Sequence, residues 1–211
     1  MARGKAPTFE LQRAAILAEA ARLFAERSFP SASMSELAKA CGVSKPLLYH
    51  YYRDKEHILF DIADSYMDQL LEIIAGVRAE GLAPEAHLSA LVLRFLEEYE
   101  HSQNRHMVLV QDVKFLQAEQ AEQVTAKQRR VVAAFAEAIE GVEPGLKRRH
   151  LDKPVAMILF GMINWTFTWL RADGRFTHAD MAPVVTSIVL NGVKGLLDKD
   201  KPKPKDKSPA H

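Results

Sequence analysis

The sequence predicts an all-α chain of about nine helices. Three observations carry that prediction. Apolar residues recur at three- and four-residue spacing along most of the chain, and no stretch alternates apolar and polar residues as a half-buried strand would. Capping residues and glycines mark starts and stops at intervals of one helix. Residues 154–170 hold no charge at all, which suits a helix covered on several sides. The bulk numbers fit an ordinary globular chain: 211 residues, 48% hydrophobic and 26% charged.

Residues 9–29 place Phe9, Ile16, Leu17, Ala20, Leu23, Phe24 and Ala25 at helical spacing, and Pro30 and Ser31 interrupt them. Ser33-Met-Ser-Glu36 is a capping-box pattern, in which the Ser33 hydroxyl serves a free backbone N–H and Glu36 reaches back. The short helix it opens runs to about Cys41, and Gly42 supplies the turn. Ser44 caps the next helix, residues 45–51, whose first turn accepts Pro46 because no backbone donor is needed there. Asp54 caps a long helix whose apolar positions run from Ile58 to Val77, ending near Gly81. Pro84 opens a helix to about Ser102, Asn104 caps another through Leu116, and a third spans residues 119–140 and stops at Gly141. The apolar run forms the next, over residues 155–170. A loop turns at Asp173-Gly174. Thr177-His-Ala-Asp180 repeats the capping-box pattern and opens the last helix, to about Leu197. The tail, residues 198–211, is built from Lys, Pro and Asp and is expected to be disordered.

Several functions are excluded or disfavoured. The single cysteine, Cys41, rules out a disulfide framework or a cysteine-based zinc site within one chain, and it reads as a packing residue. The basic start lacks an apolar h-region, and residues 154–170 fall short of the ~20 a membrane span needs, so a cytoplasmic protein without a membrane partner is expected. No Gly-rich phosphate loop, G-x-S-x-G or nucleophile–base pair is present, so neither catalysis nor a cofactor is expected. His101 and His106, with Glu98 and Asp112, invite a metal reading. Histidines five apart lie on different helix faces and H-E-x-x-H is absent, so no metal is expected.

Residues 33–55 carry the sharpest signal. Two short helices joined by a glycine turn make helix-turn-helix geometry. The second exposes Lys45, Tyr49, His50 and Tyr51, with Lys55 just beyond, and it holds no carboxylate. Such a surface suits phosphates. Ser33, Ser35 and Ser44 can hold phosphate oxygens beside backbone N–H groups, Tyr49, Tyr51 and Lys55 can do so from the flank, and Lys45 can reach guanine acceptors in a major groove. Leu47 offers a thymine methyl only apolar contact.

Here the chain resembles a known family. Met34-Ser-Glu-Leu-Ala-Lys-Ala-Cys-Gly-Val-Ser-Lys-Pro-Leu-Leu-Tyr-His-Tyr-Tyr-Arg-Asp-Lys-Glu56 is similar to the DNA-binding signature of the TetR family of transcriptional repressors, and Ile16-Leu-Ala-Glu-Ala-Ala-Arg-Leu-Phe24 resembles that family's first helix. The resemblance implies a two-fold homodimer, a palindromic double-stranded operator and a divergent C-terminal domain that binds a small effector. It assigns Ser33 and Ser35 to the bracing helix, Ser44, Lys45, Pro46, Leu47, Tyr49, His50 and Tyr51 to the recognition helix, and Lys55 to a phosphate. Pro46 and Leu47 depart from the family's usual glycine and small polar residue, which bears on base preference.

The charge divides accordingly. Residues 1–57 hold 9 Lys+Arg against 6 Asp+Glu, residues 58–197 hold 14 against 18, and the tail holds 5 against 3. A basic DNA-binding head (1–57), an acidic ligand-binding and dimerisation body (58–197) and a basic tail (198–211) cancel to +1. Arg3 and Lys5 could add DNA contacts.

Within the body, the nearly all-apolar helix over 155–170 needs cover on several sides. With the last helix it is expected to form a four-helix interface between two copies, through Phe160, Phe167, Val185, Ile188, Val189, Gly192 and Leu196. Tyr66, Leu70, Leu96, Tyr99, Met107, Val110, Gln111, Phe115, Met162 and Trp165 are expected to line a mostly apolar pocket. Residues 160–174 resemble the branch of the family that responds to CoA esters, which implies an acyl-CoA, fatty acid or related effector. Arg105, Lys127, Arg129, Arg130, Lys147, Arg148 and Arg149 are basic residues that could meet a CoA phosphate. The expected function is a ligand-responsive DNA-binding regulator, most simply a repressor. A helical adaptor without specific DNA binding is the alternative, and an enzyme has no catalytic constellation to support it.

Overall fold

A computed structural model describes residues 5–171 and 173–198. Among these residues are ten α-helices, three single-turn 3-10 helices and no strand. The tail after Asp198, expected to be disordered, and Arg3 lie outside the described residues.

The first four helices are α1 (Lys5–Arg27), α2 (Met34–Ala40), α3 (Lys45–Tyr51) and α4 (Lys55–Ala79). Their local signals act as the sequence suggests. The Ser33 hydroxyl accepts from Glu36 N–H at 3.2 Å, and Glu36 Oε2 accepts from Ser33 N–H at 2.9 Å. Ser44 Oγ accepts from Leu47 N–H at 3.3 Å, and Asp54 Oδ1 from His57 N–H at 2.8 Å. Gly42 takes φ +64°, the left-handed conformation that a glycine adopts without strain, and so turns α2 into α3. Ile16, Ala20, Phe24, Leu37, Leu48 and Tyr52 bury the core of this three-helix unit.

The body comprises α5 (Pro84–His101), α6 (Gln103–Gln111), α7 (Ala118–Val142), α8 (Gly145–Arg148), α9 (Asp152–Asn164) and α10 (His178–Asp198), packed on α4. Its core is aromatic: Phe95 and Phe160 each pack about the Phe135 ring, with centroids 4.8 Å apart in both pairs. The second capping box also forms, with Asp180 N–H donating to Thr177 Oγ1 at 3.1 Å and Thr177 N–H to Asp180 Oδ2 at 2.8 Å.

Three expectations need correction. The helix expected from an Asn104 cap through Leu116 begins at Gln103, with no side-chain cap, and stops at Gln111, followed by the 3-10 turn Val113–Phe115. The helix count is ten because α8 is a separate four-residue turn after Pro144. The single helix expected over 155–170 stops at Asn164 and gives way to a 3-10 turn, Thr166–Thr168. Two hydroxyls explain the break. Thr166 Oγ1 donates to Ile163 O and Thr168 Oγ1 to Trp165 O, both at 2.7 Å, competing with the helical ladder for its carbonyls.

Candidate functional sites

The outer surface of α2 and α3 is a shallow groove. Ser33, Ser35, Lys45, Tyr49 and Lys55 line it together, joined by Arg53. Tyr49 is 47% exposed and Leu47 40%, high for such residues on a short helix. Lys45, Pro46 and His50 are also exposed, and Lys45 Nζ stands 6.0 Å from the Tyr49 ring centroid. Tyr51 is half-buried and stacks on Phe9 of α1, 4.6 Å between centroids. Arg53, mostly exposed and 2.8 Å from Asp54, is a cation the sequence reading did not single out. Its signal was its place immediately before the α4 cap.

Lys55 lies at this surface but is engaged differently from expectation. Its ammonium donates to the carbonyls of Phe29, Pro30 and Ala32 at 3.0–3.1 Å. Three N–H groups meet three carbonyls, so in this conformation the charge pins the loop ahead of α2 rather than facing a phosphate. Cys41 is half-buried with its thiol pushed up to about 11 by burial, which keeps it protonated.

Behind α2 and α3, one carboxylate joins the three-helix unit to α4. Asp61 accepts from the Arg13 guanidinium at 2.7 Å and from the Tyr52 hydroxyl at 2.7 Å. The Asp61 hydrogen bond raises the Arg13 pKa. Burial, then Asp61, raises that of Tyr52.

A half-open cavity of about 300 Å³ lies among α4, α5, α6, α7 and α9, with the exposed Met157 at its edge. Met67, Leu70, Leu109, Val131, Val132, Met157 and Phe160 make it mainly apolar, with Val110 at the rim. Four polar side chains interrupt that lining: Tyr99, His106, Gln128 and Asn164. The Tyr99 hydroxyl donates to Asn164 Oδ1 at 2.9 Å, and burial raises its pKa, so it stays protonated. The His106 ring stacks on Tyr99, 3.7 Å between centroids.

Of the expected pocket residues, Leu70, Tyr99 and Val110 line this cavity. Tyr66 and Leu96 are fully buried in the core beside it, and Met107 and Met162 are half-buried outside its lining. Gln111 is exposed. Trp165 is 59% exposed, because the helix break turns its ring outward. Phe115 belongs to the 3-10 turn Val113–Phe115 after α6, where it stacks on Phe29 at 5.5 Å. The expected CoA cations are largely engaged already: Arg105 by Gln69 and Ser65, Lys127 by Asp64 and Asp68, Arg129 by Glu122, Lys147 by Glu140 and Arg149 by Leu196 O. Arg130 and Arg148 are exposed.

The outward sides of α9 and α10 carry Met157, Ile158, Gly161 and Trp165, and Val184, Ile188, Gly192 and Leu196, with Trp169 beyond the break. Of the residues expected between two copies, Ile188, Gly192 and Leu196 are therefore outward. Phe160, Val185 and Val189 are turned into the chain's own core, and Phe167 is half-buried near His106. The register differs because α10 spends one face on its own α5, leaving the next stripe free.

Residues 81–193 match the family described as the tetracyclin repressor-like C-terminal domain, and residues 16–62 match the N-terminal domain of bacterial regulatory proteins of the tetR family. The chain belongs to the TetR family. It is a ligand-responsive, DNA-binding transcriptional regulator, and nothing supports the adaptor reading. A TetR-family regulator from Bordetella parapertussis is 34% identical, with a TM-score of 0.82 covering 88% of this chain and 97% of that one. The transcriptional repressor KstR2 of Rhodococcus jostii is 29% identical, across 86% of this chain and 91% of that protein. AibR, solved in complex with isovaleryl coenzyme A and operator DNA, is 26% identical with a TM-score of 0.72, covering 84% of this chain and 97% of its own. Among the described residues of this TetR-family chain, no helix is long and apolar enough to cross a membrane.

Proposed function

We propose that this chain is a homodimeric, cytoplasmic repressor that leaves a palindromic operator when a small apolar acyl-type effector, a CoA ester or fatty acid, enters the α4–α9 cavity. Residues 1–57 act as the DNA head and 58–197 as the effector and dimer body. Ser33, Ser35, Ser44, Lys45, Tyr49, His50 and Tyr51 meet the DNA, joined by Arg53, and the outward stripe of α9 and α10 pairs the two copies. The protein performs no chemistry on its effector.

The observation that carries this reading is the path of α6. The helix lines the cavity with His106, Leu109 and Val110, and the turn after it stacks Phe115 on Phe29. The Phe29 carbonyl is one of the three that hold Lys55, immediately before α2. An effector that fits the cavity only with α6 displaced would thus favour a different head position. Such coupling typically amounts to about 1–3 kcal/mol, and it requires the effector to bind the non-DNA form better. A mainly apolar cavity of this size suits a short acyl chain or a small ring, and the similar AibR was solved with a CoA ester.

Selecting sequences from a random duplex pool with the full chain, then titrating salt, tests the reading. Palindromic half-sites about 34 Å apart and affinity falling steeply with salt are expected. Lys45→Ala with Tyr49→Ala should weaken the selected site about 100-fold, roughly 1.4 kcal/mol per tenfold step, and leave the oligomeric state unchanged. A pool that returns no enriched sequence overturns it.

A further inference from the structure

The polar wall of the cavity has a direction. His106 is 2% exposed, and its Nε2 lies 3.3 Å from the backbone carbonyl of Asn164. A carbonyl only accepts, so Nε2 carries the proton. Burial, reinforced by nearby His178, pushes the His106 pKa down to about 4, against the Asn164 hydrogen bond, so the ring holds one proton at neutral pH. Nδ1 is therefore a bare lone pair. It is buried and has no partner among the described residues. The Tyr66 ring, 6.2 Å away between centroids, does not donate to it; the Tyr66 hydroxyl is itself buried without a partner.

Every other feature of the ring is fixed. Tyr99 stacks on its face, and the same Asn164 whose backbone takes Nε2 takes the Tyr99 hydroxyl on its side chain. The ring cannot present its donor edge to the cavity without giving up the Asn164 contact. A buried acceptor left unmet is costly, and a guest that donates to it recovers that cost.

We infer that His106 reads a hydroxyl group on the effector, so that the cavity takes a hydroxylated acyl chain or ring in preference to its saturated parent and to the corresponding ketone. The ketone brings a second lone pair to Nδ1, and the saturated chain brings nothing. The regulator would thereby distinguish two oxidation levels of one carbon skeleton. The inference rests on the cavity being the effector site.

The test uses the full chain and hexanoyl-CoA, with its hydroxy and oxo counterparts substituted at carbon 3 or carbon 5, titrated by calorimetry. At least one hydroxy ester should bind about tenfold more tightly than both hexanoyl-CoA and the matching oxo ester. His106→Phe should bring the hydroxy, oxo and parent esters to the same affinity, and His106→Gln, which keeps an acceptor, should recover part of the preference. Thermal melts establish that each variant is folded. Equal binding of parent, hydroxy and oxo esters overturns the hydroxyl reading and leaves the CoA-ester reading standing. No binding of any ester by the folded wild-type chain overturns both. A preference that persists in His106→Phe assigns it elsewhere and overturns the role of His106.

Discussion

Near its start α4 offers Asp61 to the Arg13 guanidinium and the Tyr52 hydroxyl; about two turns further on it supplies Met67 and Leu70 to the cavity whose opposite polar wall is His106, Tyr99 and Asn164. The first cluster lies along a partly polar surface groove and the second in a mainly apolar cavity. Around Asp61 each carboxylate oxygen accepts at least one short hydrogen bond, from Arg13 of α1 and from Tyr52, the residue that follows α3. Around His106 two bonds are made and one acceptor is left over. A complete network fixes the arrangement of the elements that build it. An incomplete one is a place where the fold has stopped short of its own optimum, and such places belong with ligand binding. Asp61 holds the head to α4, and His106 waits for a guest.

The largest effect should come from attacking the complete cluster. Asp61→Ala leaves the Tyr52 hydroxyl without its acceptor and Arg13 with only Glu10 and water, and unfolding in urea should show a loss of about 3 kcal/mol. Stability within 0.5 kcal/mol of wild type, roughly the scatter of surface substitutions, would break the contrast. Acid should expose the other cluster. In the unfolded chain His106 takes a proton near its ordinary pKa of ~6.5, whereas the folded chain resists until about 4. The unfolded state therefore binds more protons in that window, and stability is full above it and falls with pH. The His106 share of that fall is about 3 kcal/mol between pH 7 and pH 4. It is read as the difference between the pH profiles of wild type and His106→Phe. Parallel profiles would mean that the ring is not held neutral. Tyr52→Phe removes a single donor and leaves Asp61 in the hands of Arg13, so about 1 kcal/mol is expected. The smallest effect belongs to His106→Phe at pH 7. Phe removes the unmet acceptor but also the Nε2–H bond to the Asn164 carbonyl, two opposed changes that should leave the melting temperature near that of wild type. A loss as large as that of Asp61→Ala would show that the wall is structural after all.

The head was legible in the sequence and the cavity was not, and the reason is the range over which each is decided. Ser33, Glu36, Gly42, Ser44 and Asp54 act within three or four residues of where they stand, and every one of them makes the local contact its spacing implies. The cavity depends on which side of each long helix turns inward. Val131 and Val132 of α7 line it, but a helix with apolar residues on much of its circumference does not declare its facing side. Trp165 and Phe160 show the same limit. One residue step at Asn164, caused by two threonine hydroxyls, sends Trp165 outward, while the aromatic cluster of Phe95 and Phe135 holds Phe160 in. Lys55 adds a third case. The phosphate role expected of it came from resemblance to the motif, while its three carbonyl partners come from the preceding loop, which no spacing rule brings to it.

The outward rings have a practical meaning for anyone observing this molecule in solution. The chain contains two tryptophans, Trp165 and Trp169; both stand more than half exposed and neither lines the cavity, although Trp165 packs on Phe167, which packs on His106. Its indole fluorescence therefore reports chiefly on the surface around these two positions. A separate copy should emit at the long-wavelength, water-quenched end of the indole range. Association through the α9–α10 stripe should move the spectrum to the blue, and a guest in the cavity should reach it only indirectly, through Phe167 or the outer surface. The emission maximum is thus a built-in gauge of assembly that needs no label.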